Sequence, residues 1–579
     1  MYKIFNGNIT QLNTGSLEGK LFNTFNCDLT FNKGKMSIAQ RTILNTDSIT
    51  NMGMPIGFKF FDNKWFTVAG TRVFSNGGNP QANFVEDTSS IAPTNCSEDY
   101  SDIENFNDVL LVSSVDALYT KASNGSGTGA YTARRSFTGI TDYHALCTYN
   151  NRAYWLDANE PPRIYSMDTS YAVSTSGAYT MRLPAEYEVT WMRSYSNGIL
   201  IGTIHRFGGE ALVFDWDGVT TNKWNRAYKV NAQGALAGYV INDVAIIMNS
   251  NAELMQFTGA GFREVGRLPI KRNLLFQATN VQTSNRFIHP NGLAPINGYP
   301  CALINNRENN TTTVEYMENI HSGIWEFDGT SFYHKFSLSY RTRVDAGGFI
   351  SDYGQLNLHR VGGLVETPDI FGTVEYLKGN FLAGAVAYST SSISTGLKYG
   401  IWTDNYYDDV EKSGFFSTQQ MRASHIQDMW NQVTALYDFT GNVKAVVKYR
   451  TEKPIYSDFD ITWTSQKSFT TTESTIKNGD EITIIQGKGS GRVAHVLGTP
   501  TESGGTYTIN LDETIEIVDG TARARKENWI KIESIDDANS KFQTMTINDP
   551  DTLIELKVAM LCTGENTVDE LILDNSKNI

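Results

Sequence analysis

Through the first half of the chain, short apolar segments are divided by Asn- or Gly-centred polar breaks, and the breaks return at a regular step. A short apolar stretch, an Asn or Asn-Asp pair and a longer apolar stretch follow one another in FFDNKWFTVAG around Asn63, NFNDVLLVSS around Asn107 and CTYNNRAYWLDA around Asn151. The pattern returns in SYSNGILIGTI around Asn197 and YVINDVAIIMN around Asn242, giving spacings of 44, 44, 46 and 45 residues. Asparagine tolerates the left-handed backbone that two-residue turns demand, so each copy predicts a β-hairpin. A second apolar pair follows each one: TRVFSN, DALYTK, PRIYSMD, ALVFDWDG and AELMQFTG. Two hairpins per repeat make a four-stranded unit, and a period of about 40 to 50 residues in a β-rich chain predicts propeller blades.

Beyond residue 280 the repeat loosens. PINGYPCALIN at Asn297 with SGIWEFDGTSFYHKFSLS predicts a sixth blade, and YLKGNFLAGAVAY at Asn380 with YGIWTD a seventh. The expected fold is all-β, a β-propeller of six or seven blades over residues 51–425, closed so that strand edges are covered. From about residue 438 the segments NVKAVVKYRTE, DFDITWTS, WIKIESI, KFQTMTI and LIELKVAMLCTG alternate apolar and polar residues with period two. They predict a C-terminal β-sandwich over 426–579 with a small inserted β subdomain at 477–526. Residues 1–50 form an N-terminal arm with docking strands, suited to completing a terminal blade or reaching a neighbouring subunit. Only Ser417–Leu436, STQQMRASHIQDMWNQVTAL, offers turns of helix.

The 579 residues exceed one core and predict two to four domains. With 30 Phe, 28 Tyr and 10 Trp, core material is plentiful. A net charge of −14 argues against a protein that grips nucleic acid by its phosphates, since that needs clustered Lys and Arg, but suits a wall past which DNA slides. The five cysteines, Cys27, Cys96, Cys147, Cys301 and Cys562, are scattered without a CxxC pair and read as buried thiols rather than disulfides or zinc ligands. The N-terminal MYKIFNGNITQLNTG lacks signal-peptide character, and no apolar run predicts a membrane span.

Chemistry-bearing motifs are sparse. There is no GxSxG elbow or HExxH, and His144, His205, His289, His321, His334, His359, His425 and His495 show no metal spacing. The pairs Asp215/Asp217 and Asp458/Asp460 resemble the start of calcium loops without their continuation, and read as a turn and a strand face. Acidic turns at Glu86/Asp87, Asp157/Glu160 and Asp404/Asp408/Asp409 are the candidates for a glycosidase pair, with Trp65, Trp155, Trp191, Trp216, Trp325 and Trp402 as sugar platforms or blade packing. FDGTSF at Phe327–Phe332 faintly echoes the Asp-box turn. GKGSGR at Gly487–Arg492 lacks a P-loop's ending and helix and reads as a hairpin turn. The basic pairs and clusters Arg134/Arg135, Arg267–Arg272 and Arg523–Lys526 read as solvated strand ends or salt-bridge partners, with intersubunit contact as the further option. No catalytic, cofactor-binding or metal-binding residue is predicted, and no cofactor.

The irregular propeller, the phrasing YNNRAYWLDANEPPRIYSMD, the segment VAIIMNSNAELMQFTGAGF followed by RLPIKR, and the C-terminal IELKVAMLCTGENTVDELIL together resemble the propeller-bearing tail nozzle or tail tube proteins of short-tailed bacteriophages. The resemblance covers residues 50–579 in style and rests on no invariant motif; the chain is also short for a nozzle. It implies a non-enzymatic virion protein, a homo-oligomeric ring and most simply a hexamer. Such a ring sits below portal and adaptor proteins, encloses the DNA-exit channel, offers docking surface to tail fibres and is assembled in the bacterial host cytoplasm. On this view deletion of residues 1–45 is expected to impair ring formation and leave the propeller folded. A carbohydrate-binding or glycoside-cleaving propeller and a monomeric protein-binding scaffold are the alternatives.

Overall fold

A computed structural model describes residues 52–78, 82–137, 143–157, 160–171, 179–268, 286–305, 322–343, 350–355, 357–367, 381–388 and 397–404. Beyond these it describes 413–418, 421–422, 432–438, 443–452, 455–486, 492–515, 520–535, 542–547, 553–562 and 570–575, and strands at 2–3, 21–25, 27–28, 36–38 and 42–46. The described residues are all-β: strands, turns and irregular links, without helix.

Six successive four-stranded antiparallel meanders occupy Pro55–Glu86, Asp102–Ser136, Leu146–Arg182, Tyr187–Lys229, Ala235–Arg267 and Leu293–Phe336. Each opens with a two-residue hairpin at the Asn break, shown by the registers Phe61↔Lys64, Phe106↔Val109, Tyr149↔Arg152, Tyr195↔Gly198, Ile241↔Val244 and Ile296↔Tyr299. Asn63, Asn107, Asn151, Asn242 and Asn297 all take the left-handed φ that such turns require, between 48° and 64°. The second strand of each sheet is mostly apolar and almost wholly buried because both its faces are covered. Thus Leu111 faces Trp155 of the next sheet, while Leu110 and Val112 face Phe66 and Val68 of the previous one. Propeller-like packing follows, with the first strand of each sheet lying against the first strand of the next.

A six-stranded sheet comes next, in the order Ile350–Gln355, Ser339–Arg343, Thr42–Thr46, Leu397–Asp404, Phe381–Tyr388, Asn357–Glu366. Its last strand packs on Pro55–Phe61 of the first sheet. The seam is backbone against backbone: a Cβ on Gly362 would stand 1.8 Å from the Pro55 carbonyl oxygen, and one on Gly384 2.1 Å from the same atom. The N-terminal strand Thr42–Thr46 is integral to this sheet, with Leu44 buried beside Ile324, Phe336 and Trp402. Deletion of residues 1–45 therefore removes core, and the expectation that it spares the propeller is corrected.

Other N-terminal strands pair with C-terminal ones. Leu21–Phe25 lies beside Ser413–Thr418 in a six-stranded sheet with Leu553–Cys562, Val443–Arg450 and Ile530–Ile535. Met36–Ile38 lies beside Glu570–Asn575 in another with Gln432–Asp438 and Phe542–Thr546. The stretch expected to offer helical turns instead supplies strands Ser413–Thr418, Met421–Arg422 and Gln432–Asp438, because long-range partners on both sides override a weak local preference; residues 423–431 lie outside the described residues.

A seven-stranded sheet spans Tyr456–Glu527, and backbone bonds from Leu497 to Asn510 (2.8 Å) and from Asp512 to His495 (2.9 Å) link the end of its edge strand Val493–His495 to the end of Thr506–Asn510, closing a small barrel. It starts well before residue 477: the DFDITWTS strand pairs with Thr521–Glu527 rather than with the flanking sheets. Phe459, Ile461, Trp463, Phe469, Ile482, Ile509 and Ala524 fill its interior.

Candidate functional site

A group of buried polar side chains gathers where the first strands meet, around the segment Arg286–Gly292 that leads into the sixth sheet. The Asn291 side-chain amide donates to the Ile56 carbonyl (3.0 Å), to Asp102 Oδ1 (3.0 Å) and to Tyr143 Oη (3.1 Å). Its own oxygen accepts from Arg193 Nη2 at 2.7 Å, and its backbone carbonyl accepts from Leu364 N at 2.8 Å. One residue thus ties the first, second, fourth and last sheets to the approach of the third. His289 Nδ1 accepts from Asn291 N (3.1 Å), and Arg286 Nη2 meets buried Glu188 at 2.7 Å. Beside this group Glu98 accepts from Met54 N and pairs with Arg360.

Electrostatics fix the protonation of the group. Burial raises the Asp102 carboxyl above its usual range while Arg193 pulls it back. Burial, and then the Arg286 charge, press His289 down to about 3, so its imidazole is neutral at physiological pH. Burial and the Asp102 charge hold the Tyr143 phenol protonated. Asn291 and Arg193 spend their polar atoms on one another and on the sheets, which suits a clamp across the axis rather than a nucleophile with its base. The sequence reading missed this group, having treated His289 within HPNG only as one histidine without metal spacing.

The predicted candidates fall elsewhere. Asp215 is buried and accepts from Tyr195 Oη (2.8 Å), whereas Asp217 caps its own turn through Val219 N, Thr220 N and Thr220 Oγ1. Asp328 caps the FDGTSF turn in the same way. Asp458 makes a two-pronged pair with Arg525 at 2.7 and 3.0 Å, and Asp460 is exposed. Asp87 is buried against Lys121 (3.1 Å) and Tyr131 Oη (2.8 Å), while Glu86 pairs with Arg72. Asp157 is buried and Glu160 meets Arg206 at 3.0 Å; residues 405–410 lie outside the described residues. His205 Nδ1 caps a turn through Phe207 N and Gly209 N, and His334 lies buried against the Ser322 carbonyl.

Arg134 and Arg135 stack over Tyr171 and Tyr165; Arg267 pairs with Glu253, and Lys526 with Asp480. Residues 269–272 and 487–491 lie outside the described residues. Cys96, Cys147 and Cys301 are buried free thiols, and burial pushes the first two up to about 12, far from a reactive thiolate. All six tryptophans considered as sugar platforms are buried. Among the described residues no group of His, Cys, Asp and Glu is arranged to hold a metal ion, and no helix is long and apolar enough to cross a membrane.

No family model and no curated protein matches the chain. Among solved structures it is similar to the WD40 domain of Neurospora crassa Pan2, at 9% identity and a TM-score of 0.36 over 63% of this chain and 96% of that one. It is also similar to the WD40 β-propeller domain of Doa1 (10%, 0.37, 62% and 96%) and to the β-propeller domain of Cps50 from Myceliophteria thermophila (11%, 0.37, 62% and 100%). The propeller-like architecture rests here on strand order and on the packing of first strands.

Proposed function

We propose that the chain is a seven-bladed propeller with a β-sandwich and an inserted barrel, and that it serves as a non-enzymatic structural protein of a short-tailed bacteriophage tail. In this reading it is a nozzle or tube protein that forms a ring, most simply of six copies, continuing the DNA-exit channel below portal and adaptor. The observation that carries the non-enzymatic part is the Asn291 clamp. Propeller enzymes bind substrate in a funnel at the axis, and here that place is occupied by Asn291, hydrogen-bonded to Arg193, to Asp102 and to the Ile56 carbonyl. Any DNA conduit would then lie between copies and not along the axis of one. The net charge of −14 fits a wall that DNA does not stick to, and the resemblance of the C-terminal segments to tail proteins points the same way.

The test is the mass of the full chain in solution by light scattering, with negative-stain images, alone and mixed with portal and adaptor proteins. A closed ring in either condition supports the reading. A monomer indifferent to virion proteins overturns it in favour of a carbohydrate-binding or protein-binding propeller.

A further inference from the structure

The joint between the inserted barrel and the sheet that carries it is a buried cluster of charges. Strands Val443–Arg450 and Leu553–Cys562 pair so that Lys448 lies directly opposite Lys557, and Arg450 opposite Glu555. Like charges placed opposite one another destabilise a sheet unless something lies between them. Glu481, the first residue of barrel strand Glu481–Gln486, does so. Its Oε1 is 2.5 Å from Lys557 Nζ, and its Oε2 is in contact with Lys448 Nζ.

The three side chains are 2% exposed or less. Neither Lys448 Nζ nor Glu481 Oε2 has another hydrogen-bond partner among the described residues. Around them Arg450 grips Glu555 at 2.7 and 2.8 Å and stacks over Trp529, whose Nε1 donates to Glu527 at 2.6 Å. Glu527 Oε2 stands 4.0 Å from Lys557 Nζ.

We propose that Lys448 and Glu481 react with each other to form an intramolecular amide bond, a self-made crosslink that welds the barrel to the sheet beneath it. Two buried charges in contact, the Lys448 ammonium and a Glu481 carboxylate that it must share with Lys557, are costly to keep. Condensation removes both: the pair –COO⁻ and –NH₃⁺ becomes –CO–NH– and one water. Burial, and then the neighbouring Lys557 charge, hold Lys448 well below the ordinary lysine range, which favours the neutral amine as nucleophile.

In the step itself the Nζ lone pair attacks Cδ of Glu481, forming the C–N bond. The Lys557 ammonium neutralises charge on Oε1 and delivers a proton to the departing oxygen, which also takes one hydrogen from Nζ. The Cδ–O bond breaks, water leaves, and Lys557 is reprotonated through Glu527 or by solvent. No oxidant, metal or activated intermediate is required. Fixing amine and carboxyl in contact replaces a bimolecular encounter, an advantage of about 10⁵ M or more in effective concentration.

The experiment is the intact mass of the full chain under denaturing conditions, followed by tryptic mapping. The expected mass is one water below that of the sequence, with Ala445–Arg450 recovered covalently joined to Asn478–Lys488. Lys448→Arg and Glu481→Ala are expected to restore the full mass, and Lys557→Met to slow crosslinking. A wild-type chain at its full sequence mass, fresh and after prolonged incubation, overturns the proposal without relying on any variant folding. A water loss that persists in Lys448→Arg, or that maps to a cyclised Asp-Gly turn such as Asp217-Gly218, also overturns it.

Discussion

Asn291 donates to the carbonyl oxygen of Ile56 across 235 positions of sequence, at 3.0 Å. The same amide reaches Asp102 and Tyr143, so Asn291→Leu would leave a buried carboxylate, a phenol and the Arg193 guanidinium each short of a partner. Unpaired buried polar groups cost about 1 to 3 kcal/mol each, so a loss on the order of 3 kcal/mol is expected. The urea midpoint reads this directly. A midpoint within error of wild type would mean that the clamp contributes nothing to closure.

At the other closure, Leu44 brings the N-terminal strand into the core of the six-stranded sheet. Leu44→Ala is expected to destabilise by about 2 to 5 kcal/mol, as large-to-small changes in a packed core do. Deletion of residues 1–45 should expose the Leu397–Asp404 edge and make the seam with the first sheet sensitive to protease. Unchanged limited proteolysis of the truncated chain would contradict that assignment.

What was legible in the sequence followed from local rules. Asn63, Asn107, Asn151 and Asn242 announced their hairpins because few residues tolerate a positive φ, and the apolar second strands announced burial on both faces. The axis clamp was hidden because Arg193 and Asn291 are 98 positions apart and neither belongs to a periodic pattern. Lys448, Arg450, Glu555 and Lys557 look like the solvent face of alternating strands, yet all are buried because the inserted barrel covers that face. Residues 417–436 likewise read as a weak helix because their strand partners, such as Leu553–Cys562 and Glu570–Asn575, lie far along the chain.

Asp62, at the tip of the first hairpin, reaches into the next sheet. Its carboxylate accepts from Asn124 N (2.9 Å), Gly125 N (2.8 Å), Gly127 N (2.8 Å) and Ser123 Oγ (2.9 Å). Three amides converging on one carboxylate form a nest whose anion is supplied by the neighbouring blade. In Asp62→Ala those amides are expected to exchange with deuterium markedly faster, while the sheet on either side keeps its protection. Exchange equal to wild type would show that loop 123–127 holds its shape without the carboxylate.

Two buried histidines set an acid limit on stability. Burial, with the Arg286 charge next in weight, lowers His289 to about 3, and burial lowers His334 to about 4, from an ordinary value of 6.5. The folded values lie below the unfolded ones, so the unfolded chain takes up these protons first. Their contribution is constant above pH about 6.5 and is lost progressively as pH falls toward the folded values. For His334 the loss approaches about 3 kcal/mol at the bottom of that window. Urea midpoints at about pH 7.5 and about pH 4.5 should therefore differ more in wild type than in His334→Gln, which keeps a donor for the Ser322 carbonyl and cannot be protonated in this range. Equal pH dependence in the two proteins would show that His334 does not enter the acid transition.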